Sequence, residues 1–173
     1  MSQILRTSQF TGSVWTVDCG TGLVHEGRKW HSPYIITNIA AAGNTDFLLL
    51  NGVNVCLFSY EVESDKQALV YLYEAPTITA NGAALPIINL NRNDPVGVAA
   101  TVETYSGATI AAPGTFRDSH ILGTSLNGGR VGGDEGSGQC AWVIAPSSNW
   151  LLRVTTVGVN TRIVLHWRWC EDI

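Results

Sequence analysis

The sequence predicts an all-β protein, an antiparallel β-sandwich of the jelly-roll type. Three observations predict this fold class. Residues near the end of the chain alternate between apolar and polar with the period of a strand. Turn dipeptides such as Asn51-Gly52 and Asn81-Gly82 separate short apolar runs, and no stretch has helical periodicity. An immunoglobulin-like sandwich is the second choice, because no Trp lies between Cys56 and Cys140.

The segment from Asn149 to Cys170 predicts two strands around which the other strands pack. Its second run places polar side chains such as Arg162, His166 and Arg168 on one face. The opposite face is apolar: Ile163, Leu165, Trp167 and Trp169. In the first run the residues that share a face are Trp150, Leu152 and Val154. Buried aromatic residues supply large core area, so we interpret both runs as central, half-buried strands.

The remaining elements follow from short β patterns between turn residues. Before the closing pair, strands are predicted at Ser13–Asp18, Tyr34–Ala42, Asp46–Leu50, Val53–Val62, Ala68–Ala75, Ala84–Leu90, Gly97–Tyr105, Gly107–Gly114, Phe116–Leu122 and Cys140–Ala145. Asn51-Gly52 predicts a tight hairpin. The expected loops are Gly20–His31, the charged Glu61–Gln67, and the glycine-rich Leu126–Gly138, a flexible loop or an excursion at a sheet edge. Residues 1–12 are predicted to form an N-terminal arm, and residues 13–173 one β-sandwich domain.

Composition narrows the classes of function. Charged residues are only 14% of the 173 residues and the net charge is −4, so a nucleic-acid partner is not expected. No apolar stretch predicts a secretory signal or a membrane span. The four cysteines are far apart, which favours buried, reduced side chains over a metal site, with disulfides as the alternative (Cys19, Cys56, Cys140 and Cys170).

Motifs for catalysis are weak. The glycine-rich loop lacks the ending of a phosphate-binding loop, and His25 and His31 do not form a zinc motif. Asp118, Ser119 and His120 are adjacent, and neighbours on an extended chain point alternately apart rather than converging as a triad. We therefore expect no enzyme, no cofactor and no metal.

Two segments resemble a widespread group of structural proteins of tailed phages. The middle of the chain carries Leu72-Tyr73-Glu74, Asn81-Gly82 and Asn89-Leu90-Asn91-Arg92 in the order found in that group. The end is similar too, with Trp150-Leu151-Leu152-Arg153 and Trp167-Arg168-Trp169-Cys170-Glu171. The likeness covers about Asp46 to Glu171. Cys170 departs from it, since an aromatic residue usually precedes the acidic one.

The resemblance implies a capsid decoration (cement) protein with a jelly-roll-like fold, often a trimer on the outer surface of the virion. Its expected partners are the major capsid protein and further copies of itself, and it would be made in the host cytoplasm. We expect four residues in weakly patterned N-terminal segments to make these contacts: Arg6, Phe10, Arg28 and Trp30. For Trp30, packing under its own loop is an equal alternative.

Two other functions stay open. A glycan- or receptor-binding module of a phage tail or fibre would need an exposed aromatic platform beside polar side chains, which Trp15, Trp30 or Tyr105 could supply. A hydrolase would need two converging carboxylates, about 5–10 Å apart for glycoside cleavage. The sequence gives no reason to pair any of the candidates (Glu61, Glu63, Glu74 and Glu103).

Overall fold

Sixteen β-strands make up the regular structure of the described residues. The computed structural model describes residues 3–7, 14–18, 24, 27–52, 55–91, 93, 99–123, 129–132 and 142–172. For residues 3–7, 14–18, 55–57, 129–132 and 172 it describes the backbone alone. The strands are β1 (Gln3–Thr7), β2 (Val14–Asp18), β3 (Lys29–Ile39), β4 (Asn44–Leu50), β5 (Val55–Ser64), β6 (Ala68–Glu74), β7 (Thr77–Ala80), β8 (Ala83–Ala84), β9 (Ile88–Asn89), β10 (Glu103–Ser106), β11 (Thr109–Ala112), β12 (Thr115–Leu122), β13 (Gly129–Gly132), β14 (Trp142–Ile144), β15 (Asn149–Thr156) and β16 (Thr161–Asp172).

Two antiparallel sheets pack face to face. Sheet I has the strand order β12-β6-β15-β4-β10-β8. Sheet II has the order β13-β5-β16-β3-β9, with β14 also paired to β5. The ribbons β1-β2 and β7-β11 are separate two-stranded sheets. A single cluster of buried side chains from both large sheets fills the space between them.

The connectivity is that of a jelly roll. Taking β3, β4, β5, β6, β12, β13, β15 and β16 as the first to eighth strands, sheet II contains the first, eighth, third and sixth in that order. Sheet I contains the second, seventh, fourth and fifth. This interleaving of two four-stranded sheets is the jelly-roll arrangement, so the predicted fold class is confirmed.

The closing segment lies at the centre of both sheets, as predicted. β15 lies between β6 and β4 in sheet I, and β16 lies between β5 and β3 in sheet II. The predicted apolar face of β16, from Ile163 to Trp169, is fully buried. In the core Phe58 lies between two indoles, 5.3 Å from the ring centre of Trp150 and 5.7 Å from that of Trp167.

The predicted hairpin at Asn51-Gly52 is wrong. The strands on either side belong to different sheets, because β4 lies in sheet I and β5 in sheet II. The glycine serves a close approach instead. A Cβ added at Gly52 would lie 2.5 Å from the backbone oxygen of Thr101. The side-chain amide of Asn51 donates to the Ala145 oxygen at 2.6 Å, which fixes this passage between the layers.

Two predicted loops contain strand residues. β3 begins at Lys29, inside the predicted loop Gly20–His31, because the side chain of Trp30 packs in the core. β5 continues to Ser64, inside the predicted charged loop Glu61–Gln67. Its Val62 is fully buried and Ser64 pairs with Ile163 of β16. Tertiary burial decided both boundaries, against a local composition typical of loops.

Three other predicted segments had different outcomes. The predicted strand Ala84–Leu90 is broken at Leu85–Ile87, a stretch that contains Pro86, and its ends form β8 in sheet I and β9 in sheet II. Within the glycine-rich segment, residues 129–132 form β13 at the edge of sheet II, which is the sheet-edge alternative. The predicted strand Ser13–Asp18 is present as β2 and pairs with β1, which lies inside the predicted arm.

A long insertion, residues 75–114, separates β6 from β12 and covers one edge of the sandwich. It adds β10 and β8 beside β4 in sheet I, and β9 beside β3 in sheet II. In the chain, β7 connects β6 to β8, and β11 connects β10 back to β12. In sheet I, β15 and β4 lie between these strands, so both strands of the β7-β11 ribbon must cross β15 and β4. Because sheet II fills the inner face, we infer that the ribbon crosses the outer face. Leu48 and Leu151 point outward there and are fully buried, in agreement with this path.

Candidate interaction surfaces

The four predicted contact residues occupy different environments. Arg6 lies in β1 opposite Trp15, and its side chain is outside the described part, as is Phe10 altogether. Arg28 is half-buried just before β3. Trp30 is only 2% exposed and stacks on Trp169 with ring centres 6.4 Å apart. Trp30 is therefore a core residue, which agrees with the alternative that it packs inside the protein. The other three residues remain predicted contacts.

Asp118 and His120 come together in a polar cluster at the edge of the sandwich. They are two residues apart on β12 and share a face, whereas Ser119 between them is exposed. Asp118 Oδ2 lies 3.0 Å from His120 Nε2 and accepts a hydrogen bond from the Tyr60 hydroxyl at 3.2 Å. Burial, with the nearby Asp118 carboxylate, raises the pKa of Tyr60 well above its usual range. Tyr60 therefore keeps its proton and remains a hydrogen-bond donor to Asp118. We interpret the cluster as a structural link between β5 and β12.

Three turns meet at one end of the sandwich, and we call this surface the turn end. It consists of Ala40–Gly43, Asp65–Gln67 and Val157–Asn160. Thr156 joins two of them: its backbone N donates to the Gly43 oxygen at 3.1 Å, and its hydroxyl to the Ala40 oxygen at 2.6 Å. Val157 N donates to the Gln67 oxygen at 3.0 Å, joining the third. These bonds make the turn end a single rigid unit.

The turn end exposes several apolar side chains, and its charged side chains hydrogen-bond to backbone groups. Val157 is 50% exposed and Val159 is 60% exposed, and Ala40, Ala41 and Ala42 are exposed beside them. Asp65 Oδ1 accepts from the Arg162 backbone N at 2.8 Å, and Lys66 Nζ donates to the Val159 oxygen. Exposed apolar side chains on an ordered surface with a polar border are typical of protein-protein contact.

A second surface lies on the outer face of sheet I, where three aromatic rings are in contact. We call Tyr71, Tyr73 and Phe116 the aromatic surface. Val70 and Leu72 of β6 point into the core, so Tyr71 and Tyr73 point outward. Their ring centres are 6.3 Å apart, and the Tyr73 ring is 6.0 Å from that of Phe116 on β12.

One ion pair flanks the aromatic surface. Arg153 of β15 is in register with Tyr71 and donates two hydrogen bonds, both of 2.7 Å, to the carboxylate of Asp46. These hydrogen bonds raise the pKa of Arg153, although partial burial opposes the shift. The guanidinium group of Arg153 is thus oriented by a carboxylate beside the rings. A second pair, Arg117 with Glu74, lies apart from the rings, because Glu74 alternates with Tyr73 and is in register with the core residue Trp150.

The outer face of sheet II carries a group of polar side chains, beside the exposed Ile35 and Val143. His31 Nε2 lies 2.9 Å from His166 Nδ1, and the two rings stack with centres 5.1 Å apart. Arg168 forms an ion pair with the buried Glu61 at 3.1 Å. Burial lowers the pKa of His31, with further lowering from His166 and Arg168, whereas Glu61 opposes the shift. Charged and hydrogen-bonded side chains therefore distinguish this face from the turn end.

These surfaces could be predicted only in part from the sequence. The shared face of Tyr71 and Tyr73 follows from strand alternation. The pairing of Tyr73 with Phe116 could not be predicted, since the insertion of residues 75–114 separates their strands. The turn end combines three segments far apart in sequence. Of the platform residues expected for glycan binding, Trp30 is buried, the Trp15 side chain lies outside the described part, and Tyr105 lies on the outer face of sheet I with its hydroxyl donating to Glu103.

The described cysteine side chain agrees with its expected state. Cys170 is buried on β16. The side chains of Cys19, Cys56 and Cys140 lie outside the described part of the chain. In the described residues no cluster of three or more His, Cys, Asp or Glu side chains is arranged to hold a metal ion. Nor does that part of the chain contain a helix with the length and hydropathy needed to cross a bilayer.

Comparison with known proteins gives no family. No family model matches the chain, and no curated protein matches it. Among solved structures it is weakly similar to the VP2 subviral particle of infectious bursal disease virus, with 11% identity and a TM-score of 0.14. The match covers 99% of this chain and 46% of the VP2 chain. At that score the likeness carries no argument about fold or function.

Proposed function

We propose that this protein is a non-enzymatic virion component that binds the outer surface of a phage capsid and stabilises the shell. Its partners would be the major capsid protein and, in a homotrimer, further copies of itself. The ordered likeness between Asp46 and Glu171 supports the class of protein. The turn end carries the proposal, because it supplies a preformed surface for another protein.

The physical argument concerns what a decoration protein requires. It must bind a shell in many copies, so ordering loops at each contact would cost free energy repeatedly. The hydrogen bonds among Ala40–Gly43, Asp65–Gln67 and Val157–Asn160 hold the turn end in shape before binding. Burying Val157 and Val159 against a partner would remove apolar surface from water, at about 25 cal/mol per Å².

The first test is copy number in purified virions, measured by quantitative mass spectrometry. Decoration requires hundreds of copies in a simple ratio to the major capsid protein. A handful of copies would indicate a tail or fibre component and favour the receptor-binding alternative. Absence from virions would contradict the proposal.

The second test is co-sedimentation of the purified protein with shells of the major capsid protein that lack it. Val159→Asp places a charge on the turn end and should weaken shell binding by at least about tenfold, since a charge buried in an apolar contact is costly. Val143→Asp is the matched control: Val143 is 72% exposed, on β14 beside the first residues of β5, whereas the turn end lies beyond its last residue. Equal binding by both variants would remove the turn end from the contact.

A further inference from the structure

The aromatic surface lies where a monomeric protein usually exposes polar side chains. Phe116 is 54% exposed, and Tyr71 and Tyr73 are half-buried on the same face of sheet I. The register places Phe116 opposite Tyr73 and Ser119 opposite Tyr71. The rings are held on neighbouring strands, with the planes of Tyr71 and Tyr73 at 35° and those of Tyr73 and Phe116 at 71°, so they line an angled apolar surface. A contiguous apolar patch bordered by polar residues usually marks a binding site.

Its polar border is arranged for hydrogen bonding. The guanidinium of Arg153, in register with Tyr71, is held by the carboxylate of Asp46. The hydroxyl of the exposed Ser119 lies on the strand next to Tyr71. The ion pair offers both donors and acceptors, and its orientation is set before any ligand arrives.

The charges at this surface argue against a nucleic-acid ligand. Single strands also stack their bases on aromatic side chains, but they need a basic groove that follows the phosphates. Here the guanidinium group of Arg153 already has a carboxylate partner, and the net charge of the chain is −4. The ligand that fits is uncharged, with an apolar face for the rings and a polar rim for the ion pair.

We propose that the aromatic surface is a binding site for neutral saccharides. A pyranose ring presents C–H groups on its face, which pack against the electron-rich face of an aromatic ring. Its rim carries neighbouring hydroxyl groups, which can donate to Asp46 and accept from Arg153. The three rings extend over two strands, so the site suits a chain of sugars better than a single one.

The site is independent of the proposed attachment to a shell. The turn end is formed by the connections β3-β4, β5-β6 and β15-β16, whereas the rings lie on the outer face of sheet I. A protein attached through the turn end would keep the aromatic surface open to solvent. The two proposals can therefore fail separately.

The test is affinity electrophoresis of the free protein in gels containing a neutral polysaccharide: dextran, amylopectin, a galactomannan or a β-glucan. The wild-type protein should be retarded in at least one gel. Phe116→Ala should weaken the retardation, as an apparent affinity, by about tenfold, because the most exposed ring is lost. The side chain is largely outside the core, so this variant should keep the far-ultraviolet spectrum of the wild type.

Val143→Ala is the matched control, since it removes an exposed apolar side chain from the opposite sheet and should leave retardation unchanged. Phe116→Ala should also keep wild-type binding to shells, and Val159→Asp should keep wild-type retardation. Lack of retardation in every gel, or retardation that Phe116→Ala retains, would overturn the proposal. Binding of a poly-L-proline peptide without retardation by any polysaccharide would overturn it in favour of a peptide ligand.

Discussion

At the scale of single residues, Glu171 ties the long insertion to the last strand. Its carboxylate is fully buried and accepts hydrogen bonds from the Thr101 backbone N at 3.0 Å, the Thr101 hydroxyl at 2.7 Å and the Val102 backbone N at 3.1 Å. The indole of Trp169 adds another at 3.0 Å. Several donors replace the water that the carboxylate loses, which is what makes a buried charge tolerable.

Replacing this carboxylate should be costly. In Glu171→Gln an amide NH₂ would face N–H donors, leaving buried groups without acceptors. We expect the free energy of unfolding, measured in urea, to fall by about 3 kcal/mol. Glu103→Gln is the control, because Glu103 is exposed and accepts from the hydroxyl of Tyr105; its loss should be below about 0.5 kcal/mol. Similar losses in the two variants would show that Glu171 does not anchor the insertion.

His31 should make stability depend on pH. Its pKa is lowered in the folded protein, chiefly by burial, so as the pH falls below about 6.5 the unfolded chain takes up the proton first. Stability from the neutral side chain is thus complete above the unfolded pKa and declines toward the lower folded pKa. Urea unfolding between pH 8 and 5 should show a shallower decline for His31→Gln than for wild type. At pH 8 the difference in unfolding free energy between wild type and His31→Gln measures the lost contact with His166. Parallel curves of stability against pH would contradict the assignment of this pH dependence to His31.

At the scale of elements, strand periodicity could be predicted but strand partners could not. Alternation of Ile163, Leu165, Trp167 and Trp169 was enough to predict a half-buried β16. It could not show that β15 and β16 lie in different sheets, since the same pattern suits a hairpin or a crossover. Asn51-Gly52 was misleading for a related reason: a glycine required by a close approach to Thr101 looks in sequence like a glycine required by a turn.

Two glycines beside β10 distinguish the cost of a positive φ from the cost of a close approach. Gly82 has φ +87° and an added Cβ would lie 2.2 Å from the Ser106 oxygen, whereas Gly107 has φ +69° and open space around the added atom. Gly107→Ala should cost only the left-handed backbone strain, about 1 kcal/mol. Gly82→Ala should cost at least about 2 kcal/mol more, because backbone must move. Urea unfolding of both variants checks this, and equal costs would mean that the β7-β8 turn relaxes freely.

At the scale of the whole molecule, several residues from the sequence motifs described above hold the jelly roll together. Gly82 lies against β10, the side-chain amide of Asn89 donates to the Gly27 oxygen, Arg153 pairs with Asp46, and Glu171 holds the insertion. Such residues can be recognised in sequence because the fold constrains them. The turn end and the aromatic surface impose no comparable pattern on the chain, so the sequence predicts the scaffold better than the site.

The charge distribution of the whole molecule gives the last prediction. The turn end has one acidic and one basic side chain, Asp65 and Lys66, both hydrogen-bonded to backbone, while the outer face of sheet II carries His31, Glu61, His166 and Arg168. Attachment through the turn end should depend little on salt, because its contact would come mainly from exposed Val and Ala side chains, and screening acts on charges. Between about 50 mM and about 500 mM NaCl, the Kd for shells from co-sedimentation should change by less than about threefold. A tenfold weakening would instead place the contact on sheet II, and Arg168→Gln would then reduce the salt dependence while Val159→Asp would not.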